Sequence, residues 1–83
     1  MEALDAKMAS HYYELAAMEG NVMARHNLGI SEYNAGNFDR ALKHYMIAAG
    51  GGQMSSLDSI RQLYVNGDAT KDDYTKALRA YQS

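Results

Sequence analysis

The chain has 83 residues, a formal net charge of −2 and 47% hydrophobic residues, with seven glycines and no proline, cysteine or tryptophan. Its length suits one domain with a small core, and the lack of cysteine excludes disulfides and thiolate metal sites. Acidic and basic residues are mixed along the chain, so no broad positive field is available to hold nucleic acid.

The N-terminal sequence MEALDAKMAS contains acidic residues and no seven-residue apolar run, unlike a signal or transit peptide. No stretch is long and apolar enough to cross a bilayer. The sequence therefore predicts a cytoplasmic protein with no membrane partner.

Glycines divide the chain into five stretches of helical length. The first stretch, about residues 3–19, has an apolar stripe at helical spacing. The second, about 22–35, follows Asn21 as an N-cap, and the third follows Asn37, with Asp39 in its first turn. Because no β-branched run alternates with polar residues, strands are not expected.

The fourth stretch, about 55–66, begins with Ser55 and Asp58 at the spacing of a capping box. The fifth uses Thr70 as an N-cap, with Asp73 three residues later. Both stretches carry an apolar stripe, so the sequence predicts two further amphipathic helices. Glycines after the helices are expected to supply left-handed C-caps.

Parts of the sequence repeat at a fixed offset. A shift of 32 residues matches Ala9 with Ala41, Tyr13 with Tyr45, Ala16 and Ala17 with Ala48 and Ala49, Gly20 with Gly52, and Leu28 with Ile60. A further shift of 36 residues matches Ala41 with Ala77 and Tyr45 with Tyr81. These periods are typical of helical solenoids, in which each unit is a helix pair.

This pattern resembles the Sel-one-like repeat (SLR) family, which is related to the tetratricopeptide-like (TPR-like) repeats. The matching residues of the first repeat are Ala24, Leu28, Gly29, Gly36, Arg40, Ala41, Tyr45, Ala48, Ala49 and Gly52. Those of the second are Ile60, Tyr64, Gly67, Asp73, Lys76, Ala77 and Tyr81. Ser56 stands where the first repeat has Ala24, and Arg61 where it has Gly29, so we expect the second helix pair to pack less closely.

The resemblance implies an all-α fold of antiparallel helix-turn-helix repeats, stacked as a short right-handed α-solenoid of about five helices. The whole chain, residues 1–83, would form a single domain. It would consist of a leading helix over residues 1–20, repeat one over 21–52, and repeat two with a C-terminal capping helix over 53–83.

The resemblance also implies that the helices over stretches two and four line a concave groove. The residues expected to point into it are Met23, His26, Ile30, Asn34, Ser55, Asp58, Gln62 and Asn66. Side-chain amides can hydrogen-bond a peptide backbone, and the apolar residues can accept its side chains. We therefore expect a non-enzymatic interaction or adaptor module that binds a protein or peptide.

Two alternatives remain at this stage. Exposed apolar residues of the leading helix, Met8, Tyr12 and Leu15, would favour a self-associating structural module such as a homodimer, or a fragment of a longer repeat array. The second alternative is a small hydrolase that uses His26 or His44 with a carboxylate, although no GxSxG sequence is present. The spacing of the three histidines and of the glycine triplet predicts no metal, phosphate or cofactor site.

Overall fold

The computed structural model describes residues 21–83, which form four helices and contain no strand. The helices are α1 (Val22–Asn34), α2 (Phe38–Gly50), α3 (Met54–Val65) and α4 (Lys71–Gln82). The all-α prediction is confirmed for this part of the chain. The expected leading helix, and with it Met8, Tyr12 and Leu15, lies outside the described residues.

Two of the helix starts have the predicted side-chain caps. Asn21 Oδ1 accepts a hydrogen bond of 3.0 Å from the backbone N–H of Ala24 at the start of α1. At the start of α4, Thr70 Oγ1 accepts from the N–H of Asp73, and Asp73 Oδ2 accepts from the N–H of Thr70, each at 3.0 Å. These bonds satisfy backbone donors that have no partner within the helix.

The other two starts differ from the sequence prediction. Asn37 precedes α2 but makes no side-chain capping bond, and its Nδ2 donates to Glu32 Oε1 at 2.9 Å. The capping box predicted for Ser55 and Asp58 is wrong, since α3 already begins at Met54 with Gln53 as its N-cap. Both residues of the expected box therefore lie within the helix.

The first three helices end in the same way. The terminating glycines, as predicted, adopt positive φ angles of 83°, 94° and 86°, at Gly36, Gly52 and Gly67. In each case the N–H of the next residue donates to a carbonyl five residues back, as in Asn37 to Glu32 at 2.8 Å. This is the Schellman arrangement, which reverses the chain within a few residues.

Helices α1 and α2 are antiparallel and closely packed. Val22 at the start of α1 lies against Gly51 just beyond α2, and Gly29 in the middle of α1 lies against the Tyr45 ring. A Cβ atom on Gly29 would lie only 2.5 Å from Tyr45 Cε1, so glycine permits this approach of the two helices. The glycine triplet, Gly50 to Gly52, thus includes a packing position at Gly51.

The main core lies among α2, α3 and α4. Its buried members are Ala41, Tyr45, Ala49, Leu57, Ile60, Leu63 and Ala77. At the α3–α4 contact, the rings of Tyr64 and Tyr74 stack with centroids 6.0 Å apart. Arg61, at the position equivalent to Gly29, is exposed, and α3 packs less extensively on α4 than α1 does on α2. None of these four helices is long and apolar enough to span a bilayer.

Candidate functional site

Seven of the eight predicted groove residues are exposed on α1 and α3. They form two stripes, which we call the α1–α3 face: Met23, Ile30 and Asn34 on α1, and Ser55, Asp58, Gln62 and Asn66 at or near α3. Within each stripe the residues are separated by three, four or seven positions, which places them on one side of the helix. The face therefore combines apolar side chains, amides and one carboxylate.

His26, the eighth predicted groove residue, is buried, and the prediction that it points into the groove is corrected. Its side chain is only 8% exposed, and its Nδ1 shares a hydrogen bond of 2.7 Å with Ser56 Oγ. Its ring also lies against Tyr45, with centroids 5.4 Å apart. Burial lowers the pKa of His26. The hydrogen bond of His26 with Ser56 therefore connects α1 to α3, and the buried ring does not line the α1–α3 face.

The His26–Ser56 pair has the composition of part of a hydrolase site, but its surroundings differ from such a site. Ser56 has no exposed surface, which keeps its hydroxyl away from a substrate. His44 Nδ1 lies 3.3 Å from Arg25 Nη1. Among residues 21–83, no group of three His, Asp or Glu side chains is placed to hold a metal ion.

A shallow cavity of about 240 Å³ opens beside the α1–α3 face. Tyr33 of α1, Tyr45 of α2, and Ser59 and Gln62 of α3 line it. Burial raises the pKa of Tyr45, an effect that nearby Tyr33 strengthens and the Ser59 hydroxyl partly opposes.

Of the four lining residues, sequence reasoning identified only Gln62 as a groove residue. Tyr45 is almost fully buried, at 3% exposure. The missed signal was the spacing of Ser59 and Gln62, which lie three residues apart and so on adjoining parts of one helix surface. Their relation to Tyr33 depends on how α1 and α3 pack, which periodicity does not specify.

The amides of the α1–α3 face retain hydrogen-bonding capacity. Gln62 Nε2 donates to Asn66 Oδ1 at 3.2 Å, a bond that uses neither the Gln62 carbonyl nor the Asn66 amino group. Asp58 is the one charged residue of the face, and its side chain makes no hydrogen bond or ion pair with another described residue. The ion pairs of Arg40 with Glu32 and of Lys76 with Asp72 lie elsewhere.

Comparison with protein-family models, curated proteins and solved structures found no match to this chain.

Proposed function

We propose that this chain is a non-enzymatic protein–protein interaction module that binds an extended peptide segment across the α1–α3 face. The supporting observation is the exposure of two sets of side chains, one on α1 and one on α3, together with a cavity lined by residues of both helices. Asn34, Gln62 and Asn66 would hydrogen-bond the peptide backbone, while Met23 and Ile30 would contact its apolar side chains.

The recurrence of local structure supports a repeat protein of the Sel-one-like type. Helices α1 and α3 begin 32 residues apart, at Val22 and Met54, and both are followed by the same glycine-based chain reversal. The equivalent positions Ala24 and Ser56 are both buried. We extend this to the proposal that the helix pairs stack as a short right-handed solenoid, whose concave side is the α1–α3 face.

A random peptide library displayed on phage and selected against the full 83-residue chain would test this function. Peptides that are enriched should bind about tenfold more weakly to an Asn34→Ala/Gln62→Ala variant, because two amide hydrogen bonds are lost. A Lys43→Ala/Gln82→Ala variant changes exposed residues of α2 and α4 and should keep full affinity. The proposal fails if no peptide is enriched, or if the two variants bind equally.

Self-association is the second candidate. The residues first expected to mediate it lie outside the described part, but α3 adds two exposed apolar side chains, Met54 at 58% and Val65 at 65% exposure. Burial of these residues against a second copy would be favourable. Light scattering over a wide concentration range decides between the candidates, since a stable dimer supports self-association and a monomer at all concentrations excludes it.

A further inference from the structure

We propose that the cavity beside the α1–α3 face holds an arginine side chain of the bound peptide, an inference that rests on the proposed function. The cavity volume of about 240 Å³ suits one long side chain. The lining includes residues of both α1 and α3, the two helices that the proposed peptide contacts.

The chemistry of the lining matches a guanidinium group. All four lining residues, Tyr33, Tyr45, Ser59 and Gln62, are uncharged, and each carries an oxygen atom that can accept a hydrogen bond. A guanidinium group has five N–H donors and no acceptor, and its planar cation is attracted to tyrosine rings. The lining also contains hydroxyl and amide donors, so the preference for a cation over a carboxylate comes from the charge of nearby Asp58.

The charge beside the cavity also favours a cation. Asp58 lies one helical turn before Gln62 on the exposed surface of α3, and it has no ion-pair partner among the described residues. The nearest basic residue along α3 is Arg61, which is exposed and forms no ion pair with Asp58 in the described structure. No basic side chain lines the cavity. The Asp58 carboxylate is therefore available to an incoming guanidinium.

The test uses acetylated and amidated pentapeptides Gly-Gly-Xaa-Gly-Gly, in which Xaa is arginine, citrulline or leucine. Citrulline has nearly the shape of arginine but no charge. Each peptide is titrated into the isotopically labelled full chain, and backbone amide shifts are followed by NMR. We expect saturable shifts at Tyr33, Ser59 and Gln62, with the arginine peptide binding about three- to fivefold more tightly than the citrulline peptide, as for a partly exposed ion pair.

A matched pair of variants tests whether the Asp58 carboxylate causes the preference for arginine over citrulline. Asp58→Asn should remove the difference between arginine and citrulline, whereas Asp39→Asn, on α2, should retain it. Gln62→Glu would add a second carboxylate at the cavity and should increase the preference for arginine. These positions are exposed, so the variants are expected to fold.

Equal affinity for arginine and citrulline, shifts confined to other residues, or no saturable binding would each overturn the inference. So would a preference that persists in Asp58→Asn. Failure of the proposed function is distinguishable: phage-selected peptides that bind the α1–α3 face without a basic residue would overturn the arginine site alone. Conversely, if an arginine peptide is held in the cavity but Asn34→Ala, which lies outside the cavity, weakens no selected ligand, the arginine site stands and the proposed function fails.

Discussion

The Nδ1 atom of His26 and the Oγ atom of Ser56 are 2.7 Å apart, and both side chains are buried. This hydrogen bond is the side-chain link between α1 and α3 in the described structure. Since a buried polar atom without a partner is destabilising, each residue requires the other. The bond fixes the relative position of the two helices that carry the α1–α3 face.

Removing the serine hydroxyl should destabilise the fold. In Ser56→Ala, His26 Nδ1 loses its partner in a buried site, and we expect the free energy of unfolding to fall by about 1–3 kcal/mol. Urea denaturation measures this change. The neighbouring Ser55→Ala is a matched control, because Ser55 is exposed and should change stability by less than about 0.5 kcal/mol. Equal effects of the two substitutions would contradict a structural role for the bond.

Acidification should reduce stability through His26. Burial lowers the pKa of His26 from its ordinary value of 6.5, so His26 binds a proton less readily in the folded chain than in the unfolded chain. Above pH 6.5, His26 is neutral in both states and its protonation does not affect stability. As the pH falls below 6.5, the free energy of unfolding declines. Denaturation curves at pH 7.5 and 5.5 should show a larger loss for wild type than for His26→Gln. The same loss in both proteins would exclude His26 as the source.

Adding a methyl group at Gly29 should push α1 away from α2. Its Cβ would overlap the Tyr45 ring, which is held in place by burial, and we expect Gly29→Ala to destabilise by about 1–3 kcal/mol despite the higher helix propensity of alanine. Gly50→Ala provides the control, because a Cβ at Gly50 meets only Ala80 Cβ at 3.8 Å, an ordinary contact. Thermal unfolding of both variants is the measurement; a stabilised Gly29→Ala would show that the contact is looser than described.

The contact between Gly51 and Val22 should appear as an energetic coupling. A Cβ on Gly51 would overlap Val22 Cγ1, so Gly51→Ala is expected to be destabilising. Val22→Ala removes the overlapping atom, and the double variant should be less destabilised than the sum of the single variants by about 0.5–3 kcal/mol. Urea denaturation of the four proteins completes the cycle. Strict additivity would mean that residue 51 and Val22 are not in energetic contact.

Local features of the fold could be predicted from sequence because they depend on residues close together in the chain. Asn21, Thr70 and Asp73 cap their helices through contacts within three residues. The glycines that end the helices are likewise specified by the positive φ angle that the chain reversal needs. The capping box expected at Ser55 is absent because α3 begins before it, at Met54, directly after Gly52 and Gln53.

The position of His26 could not be predicted from the period of its helix alone. It lies at the margin of the exposed stripe of α1, where the direction of α3 decides whether a side chain is covered. A partial signal was present in the offset of 32 residues, since Ser56 occupies a position that holds the buried Ala24 in the other repeat. A polar residue at a buried position requires a partner, and His26 provides it.

Several core residues of this small protein are alanines with no exposed surface, namely Ala41, Ala48, Ala49 and Ala77. Such positions have little side chain to lose, while any larger residue must displace a neighbouring helix. Substitutions that enlarge the side chain at these positions should therefore destabilise the fold more than substitutions that reduce it. An engineer seeking greater stability would leave the core unchanged and work at helix ends, for example at Gln53, which makes no side-chain capping bond. Serine or aspartate there would supply the missing acceptor and add about 1 kcal/mol.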